Sequence, residues 1–224
     1  MRKTTAITLG ILSISLFATS CKKDEDPQPA TTPTPTTNTY PNYFKLETGN
    51  YWIYQQYDLD TLGNLTAKNV FDSCYVAADT IINGKNYHTL VKPKPYFPGQ
   101  IEKYHLIDSL NYVVDASGKI IFSSSDMTSI FATNYYMATA SDTLCRAEIK
   151  MTDANTSITC DAGTFNTINA KETFYMYPNW QSAGSIRARN TKYAENIGMI
   201  TETLPFFVSN PNYVERRLIR YHLN

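Results

Sequence analysis

From Tyr43 onwards the chain reads as a succession of short runs in which apolar and polar residues alternate with period two, the signature of strands. Tyr51, Ile53, Tyr57 and Leu59 share one face of the first run. In the second, Leu65 to Ala78, Val70, Cys74, Val76 and Ala78 alternate with Phe71, Ser73, Tyr75 and Ala77. Neither face is strongly polar, which predicts a curved sheet covered on both sides there. Asn83-Gly84 between Thr80–Ile82 and Tyr87–Val91 predicts a type I′ hairpin, because that turn requires positive φ twice. Lys92-Pro93-Lys94-Pro95 and the Pro98-Gly99 turn then interrupt the pattern, which resumes at Glu102–Asp108, Tyr112–Asp115 and Lys119–Ser123. Residues 126–141 fit either a strand or a short helix. Beyond them, strands are expected at 144–151 and 156–160, joined by a hairpin at Asp153-Ala154-Asn155. A long strand through Met176, a loop at Pro178–Ser185 holding Trp180, and strands near 186–193, 197–204 and 213–223 complete the chain. No run shows helical periodicity. The expected fold is all-β: a single antiparallel curved sheet or open half-barrel with few or no helices.

The first 41 residues follow a different pattern. Arg2 and Lys3 precede an apolar run from Ala6 to Ala18, then Thr19 and Ser20, then Cys21. Thr8, Ser13 and Ser15 dilute that run, which falls short of the roughly 20 apolar residues of a spanning helix. The stretch resembles a bacterial lipoprotein signal, with residues 1–20 cleaved and Cys21 as the lipid attachment site carrying diacylglycerol and palmitate. Two or three acyl chains give stable anchoring where one is marginal. Residues 21–41, with Pro27, Pro29, Pro33, Pro35 and Pro41 among threonines, read as a linker, and residues 42–224 as the all-β domain. Lys22-Lys23-Asp24-Glu25-Asp26 resembles the acidic export signal that takes lipoproteins of Bacteroidetes-type envelopes to the cell surface. Read as charge alone, it is a solvated tether.

Composition narrows the function classes. Basic and acidic residues number 20 each, and cleavage would remove two of the basic ones and no acid, leaving a net charge of about −2. That balance excludes a nucleic-acid-binding surface of the usual basic kind. Seventeen tyrosines among 13% aromatics favour pleated strands. With Cys21 acylated, Cys74, Cys145 and Cys160 remain. Cys145 and Cys160 flank the expected Asp153–Asn155 hairpin and are the disulfide candidates; three buried thiols packing as small hydrophobes is the other reading. His88, His105 and His222 are scattered, no Cys-x-x-Cys spacing exists, and no metal or cofactor is expected.

Catalytic motifs are missing: no Gly-x-Ser-x-Gly elbow, His-Glu-x-x-His helix or phosphate loop occurs, and the chain is expected not to be an enzyme. Asp58 and Asp60 read better as turn residues than as paired carboxylates, and Asp79 with His88 as a cross-strand contact of the Asn83-Gly84 hairpin. Tyr96-Phe97, Tyr135-Tyr136 and Tyr175-Tyr177-Trp180 sit near expected loops and strand ends, where a stacking face with a polar tip suits sugars or protein partners. The alternative is that they fill the interior. Arg216, Arg217 and Arg220 either grip an anion or protect an exposed sheet edge. Asp60-Thr61-Leu62, Asp79-Thr80-Ile81, Asp108-Ser109-Leu110 and Asp142-Thr143-Leu144 resemble the O-glycosylation acceptor of Bacteroidetes-type envelopes, although turns use the same residues.

Gly49-Asn50-Tyr51-Trp52-Ile53-Tyr54, with the later Ala162-Gly163-Thr164-Phe165, Tyr193 and Gly198-Met199-Ile200, resembles uncharacterised envelope lipoproteins and is similar to the half-barrel of LolA/LolB-type lipoprotein carriers. That resemblance implies a curved antiparallel sheet with Trp52 as a core anchor. The long linker and acidic export signal depart from the carriers and argue against periplasmic shuttling. The expectation is therefore a non-enzymatic outer-membrane lipoprotein, held to the membrane by its N-terminal lipid and displayed at the surface, that binds a glycan or protein ligand. A carrier of acyl chains in the concave face and a purely structural envelope component are the alternatives. Whether Trp52, Tyr54 and Phe174 fill that face or leave it open separates them.

Overall fold

The structure, a computed structural model, describes residues 40–94, 97, 99–207 and 213–224. Cys21, the expected signal peptide, nearly all of the linker, and Tyr96 lie outside the described residues. The strands are β1 (Tyr51–Leu59), β2 (Leu65–Val76), β3 (Thr80–Ile82), β4 (Lys85–Pro93), β5 (Ile101–Ser109), β6 (Tyr112–Asp115) and β7 (Ile120–Ser123), followed by β8 (Ala132–Met137), β9 (Thr143–Cys160), β10 (Gly163–Met176), β11 (Ile186–Ala194), β12 (Gly198–Pro205) and β13 (Tyr213–His222). A 3₁₀ turn, Pro178–Ala183, is the one helical element among the described residues. All strand pairs are antiparallel, in the order β7-β6-β5-β4-β2-β1-β13-β12-β11-β10-β9-β8, with β3 paired only to β4. The all-β expectation holds, and the ambiguous stretch 126–141 contains a strand.

This is an up-and-down sheet curled almost into a barrel. No backbone ladder joins the edge strands β7 and β8 among the described residues; side chains bridge them instead, Lys119 Nζ donating to Asn134 Oδ1 at 3.3 Å. Local chemistry explains the turns. Asn83 and Gly84 both have positive φ, +50° and +75°, as the type I′ hairpin requires. Asp60 turns β1 into β2 by accepting from the backbone N–H groups of Leu62 and Asn64, both at 2.8 Å, so it serves as a turn residue. Asp58 pairs with Lys68 on the surface at 3.1 Å, away from any carboxylate pairing.

The interior is filled from the end at which β1 begins. Phe44 and Leu46, from the segment leading into β1, are buried within the curl of the sheet. Phe44 stacks on Tyr193 with centroids 4.7 Å apart and meets Phe122 edge-on at 5.2 Å. Deeper packing comes from Trp52, Tyr54, Cys74, Val76, Ile200 and Leu218. Trp52 Nε1 donates to Ile197 O at 2.7 Å and Tyr54 Oη to Met199 O at 2.9 Å, so both polar tips are satisfied in the core. Gly198 makes this possible: at φ +112°, a Cβ there would stand 2.9 Å from Trp52 Nε1.

Three expectations are overturned. Asp153-Ala154-Asn155 is a bulge inside one continuous strand, β9, rather than a hairpin. Asp153 and Asn155 have φ +51° and +62°, and the β9–β10 register shifts there. Cys145 and Cys160 therefore lie at opposite ends of the same strand, and Cys74, Cys145 and Cys160 are all free thiols. A strand of that length holds its ends tens of ångströms apart unless it bends sharply, far beyond the roughly 7 Å limit for a disulfide. The second correction concerns β13, which runs between β1 and β12, so its arginines protect no edge. Beyond the bulge, the β9–β10 hairpin folds across the outer face of the sheet towards β13. Arg217 Nη1 donates to Thr159 O at 3.2 Å, and Ala162 N to Leu218 O at 3.4 Å. In consequence β12 is buried along its whole length, on both faces. The covering expected over β2 is absent from its outer side: Phe71 and Tyr75 are exposed.

Candidate functional site: a polar cavity inside the curled sheet

Strand alternation turns Lys92, Glu102, Tyr104, Glu172, Arg189, Glu202 and Arg216 inwards, and their chemistry dominates the interior between the plug and the far end. A cavity of about 340 Å³ lies among Lys92, Tyr104, Glu172, Arg189 and Glu202. It rests on Phe44, Leu106 and Tyr193 and runs towards Lys119, Asn134, Tyr136 and Arg189, with Ile149 and Ala170 on one wall.

Two charge networks border it. In the first, Lys92 Nζ lies 3.2 and 3.3 Å from the two oxygens of Glu202, and Arg216 Nη1 donates to Glu202 Oε2 at 3.1 Å. Arg216 Nε lies 2.6 Å from Asp72 Oδ2, which also accepts from Gln56 Nε2 at 2.8 Å. Arg216 is 2% exposed and Glu202 3%, so this tetrad replaces water with fixed partners. Burial alone would raise the Glu202 carboxyl, but Lys92, Arg216 and Arg189 outweigh it and hold Glu202 down to about 2. In the second network, Glu172 accepts from Arg189 Nη1 at 3.2 Å and from Tyr136 Oη at 3.1 Å. Burial, then the Glu172 charge, pushes the Tyr136 phenol up to about 12, so it remains a donor at neutral pH. Tyr104 Oη donates to Glu102, and burial raises its phenol further still.

The arrangement presents donors, acceptors and aromatic faces together at fixed positions, which suits a hydroxyl-bearing molecule. It does not present a nucleophile beside a base. Asp79 and His88 do meet, with Nδ1 2.8 Å from Oδ1, but on the surface at the β3–β4 hairpin, away from the cavity. Among the described residues, no group of three or more His, Cys, Asp or Glu side chains is gathered to hold a metal. The aromatics divided. Tyr136 lines the cavity while Tyr135, Phe97 and Tyr177 are exposed, and Trp180 donates its Nε1 to Asp142 Oδ2 at 3.1 Å. Trp52, Tyr54 and Phe174 are all buried and fill the parts of the concave side that the cavity leaves. The apolar space beside Trp52, Tyr54, Cys74 and Met199 is about 40 Å³, room for about one water-sized molecule and not for an acyl chain.

Of the residues lining the cavity, the sequence pointed to Tyr136, and it pointed to Arg216, which stands behind Glu202. Lys92 was hidden in a Lys-Pro-Lys-Pro stretch read as a sheet breaker, yet Pro93 ends β4 and pairs with Ile101. Glu172, Arg189 and Glu202 were missed. The available signal was a lone charge at an inward position of an otherwise apolar and threonine-rich strand, as in Met199-Ile200-Thr201-Glu202-Thr203-Leu204.

No protein-family profile and no curated protein matches the sequence. Two solved structures align over most of its length. One is a candidate lipoprotein from Parabacteroides distasonis, 15% identical, covering 82% of this chain and 99% of its own, with a TM-score of 0.46. The other is a candidate exported protein with a YmcC-like fold from Bacteroides fragilis, 13% identical, covering 81% and 99%, with a TM-score of 0.36.

Proposed function

We propose that the protein is an envelope lipoprotein, acylated at Cys21 and held at the outer membrane with its β domain displayed at the cell surface, that binds a glycan in the interior cavity without catalysing a reaction. The observation that carries the ligand reading is the cavity lining itself. Lys119, Asn134, Tyr136, Glu172 and Arg189 converge on one space, while Tyr104 and Tyr193 supply faces on which a sugar ring can stack. A dry, aliphatic concave face would have favoured an acyl-chain carrier; the charges and the small apolar void favour a polar ligand. Depth favours a glycan terminus over a folded protein partner.

Three measurements test the reading separately. Metabolic labelling with palmitate tests the anchor: label is expected on the native chain and none on Cys21→Ala, and an unlabelled native chain sinks the lipoprotein assignment. Protease treatment of intact cells then reports display. Glycan-array binding followed by calorimetry tests the cavity: Glu172→Gln and Tyr136→Phe are each expected to weaken a bound glycan about tenfold or more. Binding unaffected by both variants would move the site elsewhere.

A further inference from the structure

Arg187 is a guanidinium that the fold has buried without a counter-charge. It lies on β11 opposite Phe174, one inward position beyond Arg189, so the two side chains leave the strand about 7 Å apart on the same face. It is 6% exposed. Its Nη1 donates to Ile186 O at 3.2 Å, while Nε and Nη2 are buried and find no acceptor. No carboxylate among the described residues lies within ion-pair distance of it, and both oxygens of Glu172 are already engaged by Arg189 and Tyr136. Residues 208–212, Val-Ser-Asn-Pro-Asn, contain no acid. Gly184 lets the guanidinium close against the Pro178–Gly184 turn, since a Cβ at 184 would stand 2.5 Å from Nη1.

A buried, unpaired cation is costly to keep, and replacing one with an apolar side chain ordinarily stabilises a fold. The two unsatisfied atoms also share one edge of the planar guanidinium, the side-on fork that donates to a carboxylate or phosphate in two parallel hydrogen bonds. We infer that Arg187 holds the acidic group of the bound molecule. The ligand class, resting on the cavity reading above, is thereby narrowed to anionic saccharides: uronic acids or sugar phosphates. The turn over Arg187 is closed by Trp180 N to Tyr177 O and Gly184 N to Gln181 O, and pinned by Trp180 Nε1 to Asp142 Oδ2 and Gln181 Nε2 to Met176 O; none of these is a rung between strands, so it can lift without breaking the sheet ladder.

The test uses the full chain, calorimetry and thermal denaturation, with galacturonate, galactose and inorganic phosphate as probes at matched ionic strength. Galacturonate is expected to bind about tenfold or more tighter than galactose, the scale of a charge-assisted bidentate contact. Arg187→Met is expected to raise the melting temperature of the free protein and erase that preference. Arg187→Lys, which keeps the charge but not the fork, should lose most of it while folding normally. Phosphate stabilisation lost in Arg187→Met supports the same subsite with a phosphorylated ligand. Galactose binding as tightly as galacturonate, or a preference that survives Arg187→Met, overturns the subsite and leaves the glycan reading standing. No binding of any probe overturns both.

Discussion

Glu202 sits, only 3% exposed, between two cations, and its ionisation is tied to stability. Its carboxyl is depressed in the folded state, so its contribution is complete above the ordinary value near 4.5 and drains away as the pH falls towards about 2. Glu202→Gln should cost about 3–5 kcal/mol in urea denaturation at pH 7, because Lys92 and Arg216 would then face a neutral amide. The variant should also lose that part of the acid limb below about 4.5. An unchanged midpoint would mean that water reaches the tetrad. The thiols give a second residue-level prediction. Burial pushes Cys74 up to about 12 and Cys145 up to about 11, and both are fully shielded, whereas Cys160 is partly exposed at the end of β9. Iodoacetamide under native conditions should therefore modify Cys160 first, and all three should react only after unfolding. A disulfide found by mass spectrometry would contradict the three free thiols.

The strands themselves were largely legible, because a period-two pattern bounded by Asn-Gly, Asp-rich and Pro-Gly turns leaves few alternatives for the chain. What escaped was the element whose meaning depends on a distant partner. Asp153-Ala154-Asn155 has hairpin chemistry, and positive φ at Asp and Asn serves a bulge as well as a turn. Only the unbroken pairing of β10 along both halves of β9 decides between them. The consequence falls on β12, which the hairpin covers from outside while the interior covers it from within. Hydrogen exchange should find the amides of β12 among the slowest in the domain, with β7 and β8 exchanging early. Fast exchange throughout β12 would mean that the hairpin does not stay folded over the sheet. The inward charges escaped for a related reason: in sequence, Glu172 and Arg189 are ordinary polar residues, and only the β10–β11 register sets them opposite one another.

At the scale of the molecule, closure depends on the plug as much as on the ladder. Phe44 borders both the small apolar void and the polar cavity, stacked against Tyr193 and set edge-on to Phe122. Phe44→Ala should destabilise the domain by about 3–5 kcal/mol and join the two spaces into one, with new binding of an apolar fluorescent dye such as ANS as the second readout. A loss below about 1 kcal/mol with no dye binding would show that the interior collapses around the gap. The same segment fixes a direction. Asn42 O accepts from Asn196 N at 2.7 Å and Asn50 Oδ1 from Asn224 N at 2.8 Å, so the chain arrives and leaves on the stoppered side. Anything that grips this protein by its beginning holds it as a cup is held by its base. The opposite end, where Arg187 lies beneath the Pro178–Gly184 turn, is the end such a grip leaves clear.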